Sequence, residues 1–111
     1  MLSFQRLDVY QRAIEFLALA IEIVEDLPRG HRQRADQLIR AAESVVRNIA
    51  EGAGRWSERD SAKHYKIARG EAMECAASLD VLRVRELVAS PRYECGIQLL
   101  EREVAMLTKM I

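Results

Sequence analysis

Residues 35–54 read ADQLIRAAESVVRNIAEGAG. Ala35, Leu38, Ile39, Ala42, Val45, Val46 and Ile49 recur three and four positions apart, the spacing that gathers apolar side chains on one face of a helix. A strand would alternate every second residue, and this stretch does not. Beside the apolar line run Gln37, Ala41, Ser44, Asn48 and Glu51, a strip that is small or polar without dense charge. Arg40 and Arg47 occupy a more exposed face, with Glu43 between them as a salt-bridge partner. The pattern predicts a helix from His31 to Ala50 or slightly beyond, stopped by Gly52 and Gly54.

The same period extends in both directions. Pro28 with Gly30, the glycines with Ser57, and Ser90 with Pro91 break the 111-residue chain into four helical segments. The first, about Leu7 to Leu27, is apolar over most of its girth: Val9, Tyr10, Ala13, Ile14, Phe16, Leu17, Ala20, Ile21, Ile23 and Val24. Its polar residues Asp8, Gln11, Arg12, Glu15, Glu22 and Glu25 form a narrow stripe, the reverse of an ordinary surface helix. One bundle covers one side of such a helix, so a second subunit is expected on the other. The third segment starts at Ser57, with Asp60 three residues on as in a capping box, and reaches toward Val88. Ala62, Tyr65, Ala68, Ala72, Cys75, Ala76, Leu79 and Leu82 mark its inner face. Gly70 among small residues suggests a tight helix crossing. The fourth starts with proline at the first helical position, and Ile97, Leu100, Val104, Leu107 and Ile111 form a heptad-like seam. Short connections make consecutive helices antiparallel. The expected fold is all-α, an antiparallel up-down-up-down four-helix bundle forming a single domain over residues 1–111.

Whole-chain properties exclude several classes. Formal net charge is zero, so bulk charge does not favour an anionic partner. Its distribution is uneven: residues 29–69 hold ten Lys/Arg against five Asp/Glu, and the rest hold seven against twelve. Either charge complementarity between helices or subunits, or a basic surface for an anionic partner, accounts for this. No targeting signal opens the chain, and the longest apolar run, Phe16 to Ile21, is too short to span a membrane. Cys75 and Cys95 do not form a disulfide framework; they read as reduced thiols in or near the core of a cytoplasmic protein.

The sequence carries few motifs of reactive chemistry. Four-helix bundles host di-iron sites built on Glu-x-x-His, a motif missing here. Glu71 and Glu74 read as a solvated acidic patch. His31 and His64 have no metal-ligand spacing to each other or to the cysteines. There is no Gly-x-Ser-x-Gly elbow, and the Gly-Ala-Gly-Arg piece at 52–55 reads as a turn rather than a phosphate loop. No catalytic residue, metal, cofactor or small-molecule substrate is predicted. The remaining cluster is Arg55, Trp56, Arg59, Lys63, Lys66 and Arg69, joined by Arg47 on the preceding helix. Positive charge beside an aromatic is what single-stranded nucleic acid or phosphate binding would use; the alternative is a solvated basic face with Trp56 packed on a neighbouring helix.

Several motifs point to a family. Phe4 and Leu7-Asp8-Val9-Tyr10 with Ala13 open the chain, and Leu27-Pro28 closes the first helix. Gln37-Leu38-Ile39-Arg40-Ala41-Ala42, then Ser44 through Gly52, Gly54-Arg55, Ser57, Ile67-Ala68-Arg69-Gly70 and Glu74 follow. Over residues 4–82 the chain resembles the bacterial four-helix bundle proteins named for the intervening sequences of 23S rRNA genes. Their superfamily includes accessory proteins of diversity-generating retroelements. Glu71 departs from the pattern, which commonly has serine there. The resemblance implies a ring-like homopentamer and, in the retroelement branch, RNA or DNA contact through a basic surface. The retroelement proteins are strongly basic and this chain is neutral. The resemblance also places Asn48, Glu51 and Arg55 in a polar cluster, read here as structural. The expectation is a non-enzymatic homo-oligomer acting as a binding or scaffold module, with nucleic-acid binding as the alternative.

Overall fold

A computed structural model describes residues 1–111. A short 3-10 helix, Ser3–Arg6, precedes four α-helices: α1 Asp8–Glu25, α2 Arg32–Ala53, α3 Glu58–Val84 and α4 Ser90–Met110. There are no strands. Each helix packs on its neighbours in chain order, and α4 closes back on α1. The pairings fix the directions. Asp26 meets Arg92 and Asp8 meets Arg102 across α1 and α4. Tyr93 donates to Asp80, and Arg69 donates to Thr108, across α3 and α4. Both pairs of helices are therefore antiparallel, and the fold is an up-down-up-down four-helix bundle, 44 Å long and 24 × 23 Å across.

Local chemistry explains the helix ends. Ser57 accepts the Asp60 backbone N–H at 3.1 Å and caps α3. Pro91 occupies the first turn of α4. At its other end α3 stops at Val84, four residues before the expected Val88. Glu86 takes a left-handed conformation, φ 59°, and the Leu87 N–H bonds back to the Leu82 carbonyl at 2.8 Å. This is a Schellman-type stop built on a glutamate instead of the usual glycine.

One cluster of buried apolar side chains runs through the bundle. Val9, Ala13, Phe16, Ala20 and Ile23 come from α1, and Leu38, Val45 and Ile49 are among those from α2. Tyr65, Ala68, Ala72, Cys75, Leu79 and Leu82 form the α3 face. Two close approaches use glycine, but neither is Gly70. A Cβ on Gly52 would lie 2.5 Å from the Tyr65 ring, and one on Gly96 would lie 2.7 Å from Leu79. A Cβ on Gly70 would meet nothing within 4 Å. Gly70 lies on the outward side of α3 because the buried residues Ala68 and Ala72 orient that helix, so the expected crossing there is absent.

The α4 seam is also rotated from expectation. Leu100 and Leu107 are buried, but Ile97 and Val104 are half-buried and Ile111 is exposed. The inner line is Tyr93, Gly96, Leu99, Leu100, Glu103 and Leu107. Gly96 permits close contact with Leu79 and Phe16, and that contact turns Glu103 inward. Cys75 is buried as expected, whereas Cys95 is exposed because it lies one position off this inner line.

Candidate nucleic-acid interface

The polar cluster predicted at Asn48, Glu51 and Arg55 forms a connected network at the α2–α3 turn. Arg55 donates from Nη2 to Glu51 Oε2 at 2.7 Å and from Nε to His64 Nε2 at 3.2 Å. His64 Nδ1 lies 3.3 Å from Asn48 Oδ1. Asn48 Nδ2 donates to the Ser44 carbonyl at 2.9 Å and to its hydroxyl at 3.1 Å. A guanidinium N–H only donates, so His64 Nε2 accepts and the ring carries its proton on Nδ1, directed at Asn48. Sequence reasoning left His64 as an isolated residue. Its helical register against Asn48 becomes visible only once α2 and α3 are paired antiparallel. The network holds Arg55 through both Nε and Nη2 and leaves its side chain about half exposed, at 46%.

Next to this network the chain turns and exposes Trp56 completely, at 103% of its reference surface. The alternative in which Trp56 packs on a neighbouring helix is therefore corrected: the turn places it outside the bundle end. A cleft of about 440 Å³ runs from Arg55 and Trp56 past Ser61 and Tyr65 to Lys109 at the end of α4. Burial holds the Tyr65 hydroxyl above its ordinary value. A second concavity lies along α3, lined by Arg59, Asp60, Lys63 and Lys66.

The seven predicted basic-surface residues do not form one patch. Arg55 and Trp56 share the first cleft; Arg59, Lys63 and Lys66 share the second. None of Arg59, Lys63 and Lys66 takes part in any ion pair of the chain. Arg47 lines neither cleft; it lies 3.5 Å from Glu43, the partner expected from sequence. Arg69 turns toward α4, donating from Nε to Thr108 Oγ1 at 2.8 Å.

The solvent-facing line of α3 changes character along its length. Arg59, Lys63 and Lys66 occupy its first half; Gly70, Met73, Ala77, Val81 and Val84 occupy the second, all of them exposed. An exposed helix face normally stays polar throughout. On the flank beside α4, a groove of about 380 Å³ is lined by Met73, Ala76, Ile97, Val104 and Ala105. The acidic pair behaves differently from a solvated patch. Glu71 is half-buried, and its carboxyl is held above the usual range by burial first and then by Glu74.

No group of three His, Cys, Asp or Glu side chains gathers closely enough to hold a metal ion. No helix is long and apolar enough to cross a membrane.

Fold and surface together define an antiparallel four-helix bundle with a basic and aromatic end and uncovered apolar faces. Residues 5–109 match the 23S rRNA-intervening sequence protein family, and the chain belongs to that family. A solved structure of similar fold is a protein of unknown function from the S23 ribosomal protein family of Bacteroides thetaiotaomicron VPI-5482. The two share 23% identity at a TM-score of 0.85, over 93% of this chain and 97% of that one. No curated protein matches the chain.

Proposed function

We propose that this chain is a non-enzymatic subunit of a homo-oligomer, a pentameric ring by its family resemblance, that serves as a binding or scaffold module. The observation that carries this reading is the outer flank of α1. Ile14 and Ile21 are 39% and 43% exposed, and Tyr10 and Leu17 beside them are only half-buried. The pairing of Asp8 with Arg102 puts α4 on the opposite flank of α1; Tyr10 and Leu17 pack partly against the core, and Ile14 and Ile21 at the outer edge of the stripe stay open to solvent. Isolated exposed apolar residues are ordinary; a continuous stripe along a helix marks a contact surface. Two free cysteines, one exposed, suit a reducing cytoplasmic compartment. Light scattering after size exclusion tests the proposal: an oligomer is expected, and a stable monomer at micromolar concentration overturns it.

The alternative, binding of RNA or DNA, is favoured by one further observation: three cations without ion-pair partners run along α3 next to a fully exposed tryptophan. A gel-shift titration in which neither nucleic acid binds even at low salt removes it.

A further inference from the structure

We infer that Trp56 and the Arg59–Lys63–Lys66 line form one binding site for single-stranded nucleic acid, a base stacking on the indole while successive phosphates follow α3. The inference rests on the nucleic-acid reading above and commits it to a strand form and an anchor. Trp56 is the chain's only tryptophan, and it is fully exposed. A fully exposed indole leaves its ring face free for a base to stack on.

The cations fit the same partner. Lys63 lies four residues from Arg59 and Lys66 three further on, about 6 Å and about 4.5 Å along the helix axis. That is one line of charge on one edge, which tracks a single backbone rather than the two strands of a duplex. Asp60 and Glu58 stand among these residues. They temper the attraction, so the phosphate contacts alone give weak binding and stacking must supply much of the affinity. Stacking on Trp56 needs a base with a free face, which a duplex hides and an unpaired strand offers. An acidic peptide would satisfy the cations but leave the indole uncovered.

The protein reports its own binding. Oligothymidylate of about a dozen nucleotides, the matching duplex and polyglutamate are titrated at low salt while Trp56 fluorescence is read. The single strand is expected to quench the emission and to bind roughly tenfold tighter than the duplex. Trp56→Ala is expected to lose roughly tenfold in affinity and Trp56→Phe to retain most of it. The pair Arg59→Gln and Lys63→Gln is expected to lower the salt slope by about 1.4. Because all three side chains are exposed, these variants fold as the parent does. Equal binding of duplex without quenching, equal binding of polyglutamate, or a Trp56→Ala variant of unchanged affinity overturns the inference. So does blue-shifted emission from the free protein, which would place Trp56 under a neighbouring subunit. Absence of binding to any nucleic acid removes the broader reading and this site with it.

Discussion

Glu103 is buried to 1% exposure, and neither of its carboxyl oxygens has a hydrogen-bond partner. Burial first, and the charge of Glu15 on α1 second, push its carboxyl up to about 8. In the unfolded chain a glutamate ionises near 4.3 or so. The folded state therefore holds this proton more tightly, and the contribution to stability declines as pH rises from the unfolded value through about 8. Glu103→Met removes the dependence. Urea unfolding at pH 5 and pH 9 is expected to show the variant more stable than the parent at the higher pH by a few kcal/mol, with a much smaller difference at the lower. Equal pH dependence in both proteins would show that Glu103 is solvated. Cys75 on α3 lies in the same interior, its thiol raised by burial and then by Glu103. Glycines give the second test at this scale. Gly52→Ala drives a Cβ into the Tyr65 ring and is expected to cost about 1–3 kcal/mol. Gly70→Ala meets open space and is expected to gain up to about 1 kcal/mol from helix propensity. Thermal unfolding of the two variants checks both signs. Composition pointed at Gly70, whose neighbours are small. Which side of a helix a glycine faces depends on the buried positions around it, and those are set by partners distant in sequence.

Among the elements, α1 and α2 were the most legible. Leu38, Val45 and Ile49 are buried as their period requires, and Ser57 caps α3 where the sequence places a cap. The end of α3 was not legible, because the left-handed residue there is glutamate. Non-glycine residues pay about 1–2 kcal/mol in that conformation. Glu86→Gly is therefore expected to stabilise the bundle by about 0.5–1 kcal/mol after the added backbone entropy of glycine is counted. A shift of the urea midpoint upward at unchanged m-value checks it; a downward shift would mean the Glu86 side chain holds the turn. The α4 seam failed for a different reason. Its heptad period is real, but Gly96 at the contact with Phe16 and Leu79 turns the helix so that a glutamate, not Val104, faces inward. The polar cluster was half legible: Asn48, Glu51 and Arg55 stand on one stretch, while His64 joins them only through the antiparallel pairing of α3. That bond pattern orients Arg55 beside Trp56, so a structural network sets the geometry of the exposed end.

For the whole molecule, the unpartnered surfaces lie on different sides. The α1 stripe of Ile14 and Ile21 faces away from α4, and the apolar half of α3 faces outward from Met73 to Val84. A closed ring with an odd number of subunits has heterologous contacts, in which two different patches of each copy meet. The consequence is measurable by mixing. In the proposed ring, a chain carrying Ile14→Asp and Ile21→Asp would lack one of the two patches and keep the other. Alone it is expected to run as a monomer with the helical circular dichroism of the parent, since both residues lie outside the core. Refolded with excess parent chain, it is expected to enter assemblies as a terminating subunit, so native mass spectrometry shows incomplete oligomers that each contain one variant chain. A two-fold contact, in which the α1 stripe meets its own copy, would instead exclude the variant and leave parent assemblies intact beside variant monomer. A parent chain that is itself monomeric would remove the ring altogether. The same mixture bears on the basic end. In a ring of identical orientation every copy presents Trp56 and the α3 cations once, so a long single strand contacting several copies gains avidity from the repeat rather than from new contacts. Incomplete assemblies are then expected to hold such a strand less tightly than complete ones, while a strand short enough for one subunit binds both alike.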